Sequence, residues 1–378
     1  MRVAQLSSLQ VLRGIAAFSV VCHHALRAVT VNLPREFPDV PPLAIFHPAL
    51  IDLMSFGVDL FFVLSGFLMI YISEPYRTRR RSVGHFLLQR AIRIWPLYAL
   101  ATFAALAPTL AAYLQGGPLV YDLTPLRLAG FFFVPSFDMN GLVQPILGVG
   151  WTLQYEALFY LCFALALLLL RERLLPGLIG VLAVAYVVGW ALPGATAAHV
   201  FLSDGIVFEF LYGAVVARLV LGHHAADPRR GCVALVLGAV LLAACAQIPG
   251  DSPYRALARG IPAALLLYGM ISVDGAVAWP GFLLRLGNAS YSLYLVQVLV
   301  VYRVVRRVLL PHAAGGLGGN PAEAALGAIL VTVAAGFAVH FALEQPLLKL
   351  CHGLVDRFKP APSPSVEDPA PSSAQGTA

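Results

Sequence analysis

The feature of this sequence that most restricts its fold is the recurrence of apolar runs long enough to cross a lipid bilayer. A helix needs about 20 mostly apolar residues to span the hydrocarbon core of a membrane. Ten such runs lie near residues 8–29, 53–73, 86–112, 151–170, 174–192, 200–221, 231–248, 257–274, 283–309 and 322–345. Because a segment in lipid must satisfy its own backbone hydrogen bonds, we predict an all-α polytopic membrane protein with about ten transmembrane helices.

The composition supports the same fold class. Of the 378 residues, 59% are hydrophobic and only 12% are charged, whereas soluble domains carry about 25% charged residues. These numbers exclude a soluble globular protein, a disordered chain and a nucleic-acid-binding protein. We therefore expect membrane lipid as the surroundings and no nucleic acid as a partner, and the sequence does not identify a protein partner.

The distribution of basic residues predicts the orientation. If the N-terminus is cytoplasmic, the cytoplasmic side receives 17 of the 25 Lys and Arg residues and the other side receives eight. The short basic segment Arg77–Arg81 contributes most, because basic residues in short loops favour the cytoplasm. With ten spans, both termini are predicted to be cytoplasmic, so the chain is predicted to be a multi-pass protein of a cell membrane.

Two sequence features are predicted to lie on the side of the membrane opposite the cytoplasm, and neither is explained by topology alone. Arg303, Arg306 and Arg307 form a basic group there, which predicts either a binding surface or side chains that extend to the lipid interface. The segment 115–150 is a long loop with one short apolar stretch, Phe131–Val134, which suggests a re-entrant or interfacial piece. Loops of this length are uncommon unless they have a function.

The end of the chain has a different composition. The residues from Pro360 to Ala378 are rich in Pro, Ser and Ala without apolar periodicity, which predicts disorder. We therefore divide the chain into a membrane domain over 1–350 and a cytoplasmic, largely disordered tail over 351–378.

Arg13 and His24 are ionisable residues within the first apolar run. Such residues are costly in a membrane and by default indicate a functional site. They are eleven residues apart, so a helix places both on one face with about 16 Å of rise between them. Histidine is the usual general base near neutral pH. The alternative is a buried histidine that is hydrogen-bonded to a neighbouring helix.

Arg90 and Arg93 begin the third run and are neighbours on one helical face. Two guanidinium groups at this depth suit a polyanion, because arginine binds phosphate in a bidentate manner. The alternative is that they only anchor the helix at the membrane surface.

Two acids complete the set of candidates. Asp59 is a lone acid in the second run, able to orient an imidazole or to pair with an arginine, and Glu156 lies among aromatic residues one turn into the fourth run. No CxxC pair is present, and adjacent helical histidines such as His23 and His24 point in different directions, so we expect no metal site.

Six motifs in order resemble the acyltransferase-3 family of integral membrane proteins, which O-acylate bacterial polysaccharides and other extracytoplasmic glycans. They cover the chain up to about Leu350. The motifs are Leu12-Arg13 with His24, Gly57-Val-Asp59 through Gly66-Phe67, Arg90-x-x-Arg93 with Pro96 and Tyr98, Trp151-Thr-Leu-x-Tyr-Glu156-x-x-Phe-Tyr160, Ser290-Tyr291-Ser-Leu-Tyr294-Leu, and Glu344-x-Pro346.

This resemblance implies ten core helices, a role for His24 in acyl transfer and binding of acyl-CoA by Arg90 and Arg93. The expected donor is acetyl-CoA and the expected acceptor is a glycan or lipid-linked saccharide. We group Arg13, Arg90 and Arg93 as donor-binding residues. We group His24, Asp59 and Glu156 as catalytic residues. His24 either deprotonates the acceptor hydroxyl or carries the acyl group, with Asp59 or Glu156 orienting its imidazole.

One position departs from the family pattern. Gln297 stands where the family often has histidine, so we expect it to contribute structure or acceptor contacts without transferring a proton.

The alternative function is a transporter or flippase for a lipid-linked sugar. A transporter built from two related halves would distribute its buried charges symmetrically, whereas here the ionisable motifs concentrate in the first 160 residues.

Overall fold

The computed structural model describes residues 6–32, 47–117, 123–222, 227–305 and 321–357. Within these ranges the chain is helical and forms no β-strand, apart from one isolated bridge between Phe137 and Val143. The prediction of an all-α fold is therefore confirmed.

Sixteen α-helices lie in the described ranges, and we number them in chain order. They are α1 Ser7–Arg27, α2 Pro48–Leu53, α3 Gly57–Tyr71, α4 Glu74–Arg77, α5 Val83–Leu114, α6 Pro125–Leu128, α7 Trp151–Leu169, α8 Leu174–Ala191, α9 Ala197–Leu202, α10 Glu209–Gly222, α11 Pro228–Ala244, α12 Ile261–Ser272, α13 Gly281–Asn288, α14 Ser290–Val304, α15 Pro321–Val339 and α16 Gln345–Arg357. Short 3-10 and π-helical turns extend several of them, and the π-helical turn His340–Glu344 joins α15 to α16.

Seven helical segments in the described part are long and apolar enough to cross a membrane. These are Ser7–Val31, Pro48–Tyr71, Val83–Leu114, Gly148–Leu169, Arg171–Ala191, Ala197–Gly222 and Pro321–Arg357. The described parts of the three other predicted runs are largely helical, in α11, in Ala256–Ser272 and in α13 with α14, and these described helices are shorter. The protein is thus a multi-pass membrane protein, while the count of about ten spans and the cytoplasmic termini stay predictions.

The helix directions define two sides of the bundle. Residues near the start of α1 and of α5 and near the end of α3 line one cavity, so these ends lie together. The helix α14 begins there too, because Arg13 Nε donates a hydrogen bond to Ser290 Oγ at 3.3 Å. We call this the N-terminal side. The ends of α1, α5 and α14 and the start of α2 lie on the opposite side.

Glycines allow the central helices to touch at the backbone. A Cβ atom on Gly66 of α3 would lie 1.9 Å from the carbonyl oxygen of Phe210, and one on Gly213 of α10 would lie 1.8 Å from that of Val63. Small residues permit this close approach in membrane bundles, where packing rather than the hydrophobic effect drives helix association. The α3–α10 contact therefore fixes the wall that carries the acidic residue Asp59.

The long loop before α7 folds back onto α5. The indole Nε1 of Trp95 donates to the carbonyl of Phe131 at 3.0 Å, and the hydroxyl of Tyr98 donates to that of Gly130 at 2.9 Å. The ring of Phe133 stacks on Tyr98 with ring centroids 5.0 Å apart. The apolar stretch Phe131–Val134 thus lies along the side of a membrane-spanning helix.

The predicted domain boundary at residue 350 falls inside a helix. The helix α16 continues through Arg357, so residues 351–357 are helical, and the division into a membrane domain and a tail stays a prediction. The search for long apolar runs does not detect this extension, because Gln345–Arg357 mixes apolar and polar residues at the spacing of an amphipathic helix. Residues 358–378 lie outside the described residues.

Candidate active site

A cavity of about 110 Å³ opens between α1, α3, α5, α7 and α14 on the N-terminal side. Four of the six predicted site residues, Arg13, Arg90, Arg93 and Glu156, line it together. Six apolar side chains of α3, including Phe61 and Leu68, form part of the remaining wall. Residues from three separate sequence motifs therefore meet in one place.

Arg93 is held by a buried carboxylate. Its Nη1 donates to Glu344 Oε1 at 2.5 Å, and its guanidinium lies 5.3 Å from the ring centroid of Tyr291. The other oxygen of Glu344 accepts hydrogen bonds from Ser292 at 2.7 Å and lies 2.8 Å from His340 Nδ1. Because Glu344 is only 2% exposed and fully hydrogen-bonded, it fixes the position of Arg93 at the cavity wall.

The guanidinium groups of Arg13 and Arg90 have no carboxylate partner in the described part of the chain. Arg13 hydrogen-bonds to Ser290, and the buried Nε of Arg90 has no hydrogen-bond partner there. Both line the cavity. Unpaired guanidinium groups in a partly enclosed site have unused donors, which suits an anionic ligand.

Glu156 points into the same cavity. One of its oxygens accepts hydrogen bonds from the hydroxyl of Ser65, at 3.1 Å, and from that of Tyr160. Two hydroxyl donors hold the carboxylate in place and leave its second oxygen free of these bonds. Glu156 is therefore oriented by α3 and α7 and does not contact His24.

Asp59 lies outside this cavity and is paired with an arginine. Its two oxygens accept hydrogen bonds from Arg255 Nε and Nη2 at 2.8 and 3.0 Å, and the carboxylate is completely buried. The guanidinium also lies 5.7 Å from the ring of Trp151. Of the two roles predicted for Asp59, the structure shows pairing with an arginine, and orientation of an imidazole by Asp59 stays a prediction.

Arg255 belongs to a buried polar cluster that the sequence interpretation missed. The side chain of Arg259 is completely buried, and it donates to Asp52 Oδ2 at 2.6 Å and to Ser55 Oγ at 2.7 Å. The sequence interpretation counted both arginines only among the eight basic residues of the opposite side. Their four-residue spacing immediately before an apolar run is the signal that places them on one helical face.

His24 lies near the end of α1, toward the opposite side. Its ring centroid is 5.1 Å from that of His23, and its imidazole forms no hydrogen bond within the described residues. His23 instead places Nδ1 2.7 Å from the carbonyl oxygen of Ile51. The structure therefore gives His24 no carboxylate partner there, and eleven residues of helix separate it from Arg13, about 16 Å of rise.

No group of three His, Cys, Asp or Glu side chains in the described ranges is arranged to hold a metal ion. The cavity instead combines three cationic side chains, one oriented carboxylate and the hydroxyls of Tyr160, Tyr291 and Tyr294. Such a site can bind an anion and can stabilise negative charge that develops on a carbonyl oxygen.

Comparisons with known proteins agree with this chemistry. A family model described as "Acyltransferase domain" matches residues 6–341. The chain is 34% identical over 303 residues to "Exopolysaccharide production protein ExoZ" of Rhizobium meliloti (strain 1021), covering 78% of this chain and 89% of that protein. It is 28% identical over 396 aligned positions to "Nodulation protein 10" of Rhizobium leguminosarum bv. viciae, covering 93% and 95% respectively. No solved structure gives a significant match.

Proposed function

The chain belongs to the acyltransferase-3 family, and we propose that it transfers an acyl group, in the first instance acetyl, from acyl-CoA to a hydroxyl of an extracytoplasmic glycan. The name of the relative from Rhizobium meliloti refers to exopolysaccharide production, which makes an exopolysaccharide the first acceptor to test. An O-antigen-type glycan or a lipid-linked saccharide has the same acceptor chemistry.

The observation that carries this proposal is the meeting of Arg13, Arg90 and Arg93 in one cavity. Of these three, only Arg93 is paired with a carboxylate in the described part of the chain. Coenzyme A carries several phosphate groups, and arginine binds phosphate through parallel hydrogen bonds. The exposed basic segment Arg77–Arg81 follows α3 on the same side and adds attraction for a polyanionic donor.

The reaction requires the thioester C–S bond to break and an ester C–O bond to form, with the hydroxyl proton passing to the sulfur of coenzyme A. In our proposal Arg13 binds the donor or stabilises the negative charge on the carbonyl oxygen. Glu156 lies in the cavity with one oxygen available to accept a proton. Each of these residues lies within the proposed donor site.

His24 acts in our proposal either as the base for the acceptor hydroxyl or as a transient carrier of the acyl group. Its distance from Arg13 along α1 means that the donor arm extends from the arginines toward the opposite side before the acyl group meets His24. The unpaired imidazole is compatible with either role, because neither ring nitrogen is bonded to a described residue.

We also propose the finer topology. Ten spans with both termini in the cytoplasm place the N-terminal side, and thus the arginines, in contact with cytoplasmic acyl-CoA. The predicted majority of basic residues on that side supports this orientation. The membrane is then the bacterial inner membrane, and the glycan acceptor approaches from the opposite side.

The test uses the purified full chain in lipid nanodiscs with acetyl-CoA and deacylated surface polysaccharide. Release of free thiol and formation of acetyl ester are expected for the wild type and for Arg229→Ala, an exposed control on α11. His24→Ala and Arg93→Ala are expected to lose at least 100-fold. Normal acetylation by correctly inserted His24→Ala would remove the catalytic role of His24. A transporter for a lipid-linked sugar would release no thiol at all.

A further inference from the structure

We propose that a second cavity, on the opposite side of the bundle, binds the saccharide acceptor. This inference rests on the proposed function, because a donor site on one side requires a place for the acceptor. The cavity measures about 410 Å³, which is within the usual size range of small-ligand sites. Its polar lining residues are Arg127, Asp138, Asn140, Gln144 and Arg303.

The loop that forms one wall of this cavity is internally bonded. The backbone N–H of Asp138 donates to the carbonyl of Leu142 at 2.8 Å, and that of Gln144 donates to Ser136 at 3.2 Å. Gly141 occupies the tight turn between them with a positive φ of 77°, a conformation that glycine adopts without strain. The wall is therefore a short hairpin with a defined shape.

Asp138 organises the tip of this hairpin. Its carboxylate accepts hydrogen bonds from the backbone N–H groups of Asn140 and Leu142 at 2.8 and 2.9 Å, and from the side chain of Gln144 at 2.5 Å. Partial burial alone would raise the pKa of Asp138, but the bonds from Gln144, Leu142 and Asn140 outweigh it and lower the pKa. Asp138 is thus ionised at neutral pH and presents a charged acceptor.

Arg127 connects the hairpin to α6, and Arg303 lies on the helical side of the cavity. The buried Arg127 donates to Ser136 Oγ at 3.3 Å and to the carbonyl of Gln144. Arg303, near the end of α14, donates through Nη2 to the carbonyl of Ala104 on α5 at 2.9 Å and also lines the cavity. Arg306 and Arg307, the other members of this predicted basic group, lie outside the described residues.

The chemistry of the lining matches a hydroxyl-rich ligand. The lining supplies both hydrogen-bond acceptors and hydrogen-bond donors. The planar groups are the carboxylate of Asp138, the amides of Asn140 and Gln144, and the guanidinium groups of Arg127 and Arg303. A sugar hydroxyl can donate one hydrogen bond and accept others. In the cavity on the N-terminal side, by contrast, three guanidinium groups favour an anion. In the first cavity, two guanidinium groups lack a carboxylate partner among the described residues, whereas the second cavity has neutral amides beside its charged groups.

A thin partition separates the two cavities. Val298 lines the second cavity, and Tyr294, one helical turn earlier on α14, lines the first. The hydroxyl of Tyr294 lies 2.8 Å from Thr152 Oγ1 and donates to the carbonyl of Val149 at 3.0 Å. One helical turn corresponds to about 5.4 Å, so along α14 the linings of the two cavities are about one turn apart.

The first experiment measures occupancy. In a background without the five native cysteines, Asn140→Cys is labelled with a membrane-impermeant maleimide in nanodiscs. The probe is a set of oligosaccharide fragments from deacylated surface polysaccharide of a strain that lacks this protein. The fragments are expected to slow labelling at least fivefold, and Ala195→Cys, an exposed control between α8 and α9, is expected to show no protection.

The second experiment separates acceptor from donor binding. Val298→Trp, which fills the cavity, and the smaller changes Asn140→Ala and Arg303→Gln are expected to raise KM for the fragments about tenfold while KM for acetyl-CoA stays unchanged. The two smaller changes keep the test valid if the tryptophan variant does not fold.

An unchanged KM for the fragments in Asn140→Ala and Arg303→Gln, or no protection at position 140, overturns the acceptor site while thiol release by the wild type preserves the proposed function. If the wild type releases no thiol from acetyl-CoA, both proposals fail.

Discussion

Arg93 on α5 forms an ion pair with Glu344, 251 residues later in the chain, with 2.5 Å between Nη1 and Oε1. The pair joins the start of α5 to the π-helical turn after α15. Two motifs from the two ends of the chain therefore build one side of a single cavity.

Removal of this carboxylate tests whether the pair positions Arg93. Glu344→Gln is expected to destabilise the protein by about 3–5 kcal/mol, because it leaves an uncompensated charge in a mostly buried place. It is also expected to raise KM for acetyl-CoA. Thermal unfolding in detergent and steady-state kinetics measure the two effects. Glu323→Gln, an exposed change in the first turn of α15, serves as the control, and equal behaviour of the two variants would contradict the prediction.

Arg90 is expected to bind a phosphate group of the donor. A hydrogen bond to a charged group contributes about 1.5–3 kcal/mol, so Arg90→Ala is expected to raise KM for acetyl-CoA about 10- to 100-fold. The same change is expected to have no effect with acetyl-pantetheine, which has the thioester but no phosphate. A KM increase of the same size with both donors would show that Arg90 acts in another way.

Arg255 is expected to be more important for stability than its partner Asp59. Arg255→Gln leaves two buried acids, Asp59 and the neighbouring Glu209, without their cation, whereas Asp59→Asn leaves Glu209 to balance Arg255. We expect Arg255→Gln to lower the unfolding temperature more than Asp59→Asn does.

The exposed pair of Arg230 and Asp227, 3.7 Å apart, provides the control for that measurement. Arg230→Gln is expected to change the stability by less than about 1 kcal/mol, because exposed ion pairs contribute little. A larger loss in Asp59→Asn than in Arg255→Gln would contradict the expected balance of charges.

The contact between α3 and α10 is expected to have no room for even one added methyl group. Gly213→Ala places a carbon 1.8 Å from the carbonyl oxygen of Val63, so the helices must separate. We expect a loss of about 1–3 kcal/mol or more, measured by thermal unfolding. Gly180→Ala on α8, where the added Cβ has no neighbour within 4 Å, is expected to be neutral or slightly stabilising, and a similar loss at both positions would argue against this packing.

The sequence predicts the helices and much of the cavity for physical reasons that are local. A run of apolar residues of bilayer length forms a helix wherever it occurs, and costly charges within such runs, such as Arg13 and Glu156, identify the site. The partners of these charges are not local. The pair of Asp59 and Arg255 spans 196 residues, and no periodicity within one helix indicates it.

The location of His24 shows the same limit. Helical spacing correctly separates it from Arg13 along α1, but it cannot show that Asp59 is already bonded elsewhere. That fact depends on the segment before α12, whose arginines resemble ordinary loop charges until the chain is folded.

The helix α14 begins beside Arg13 with Ser290 and reaches the second cavity with Arg303. One rigid element thus forms part of the wall of both sites, so a small rotation or sliding of α14 alters both at once. A ligand that favours one position of this helix must change the affinity for a ligand on the other face, and the change is equal in both directions. Binding at the proposed donor site and binding at the proposed acceptor site are in this way energetically linked through α14.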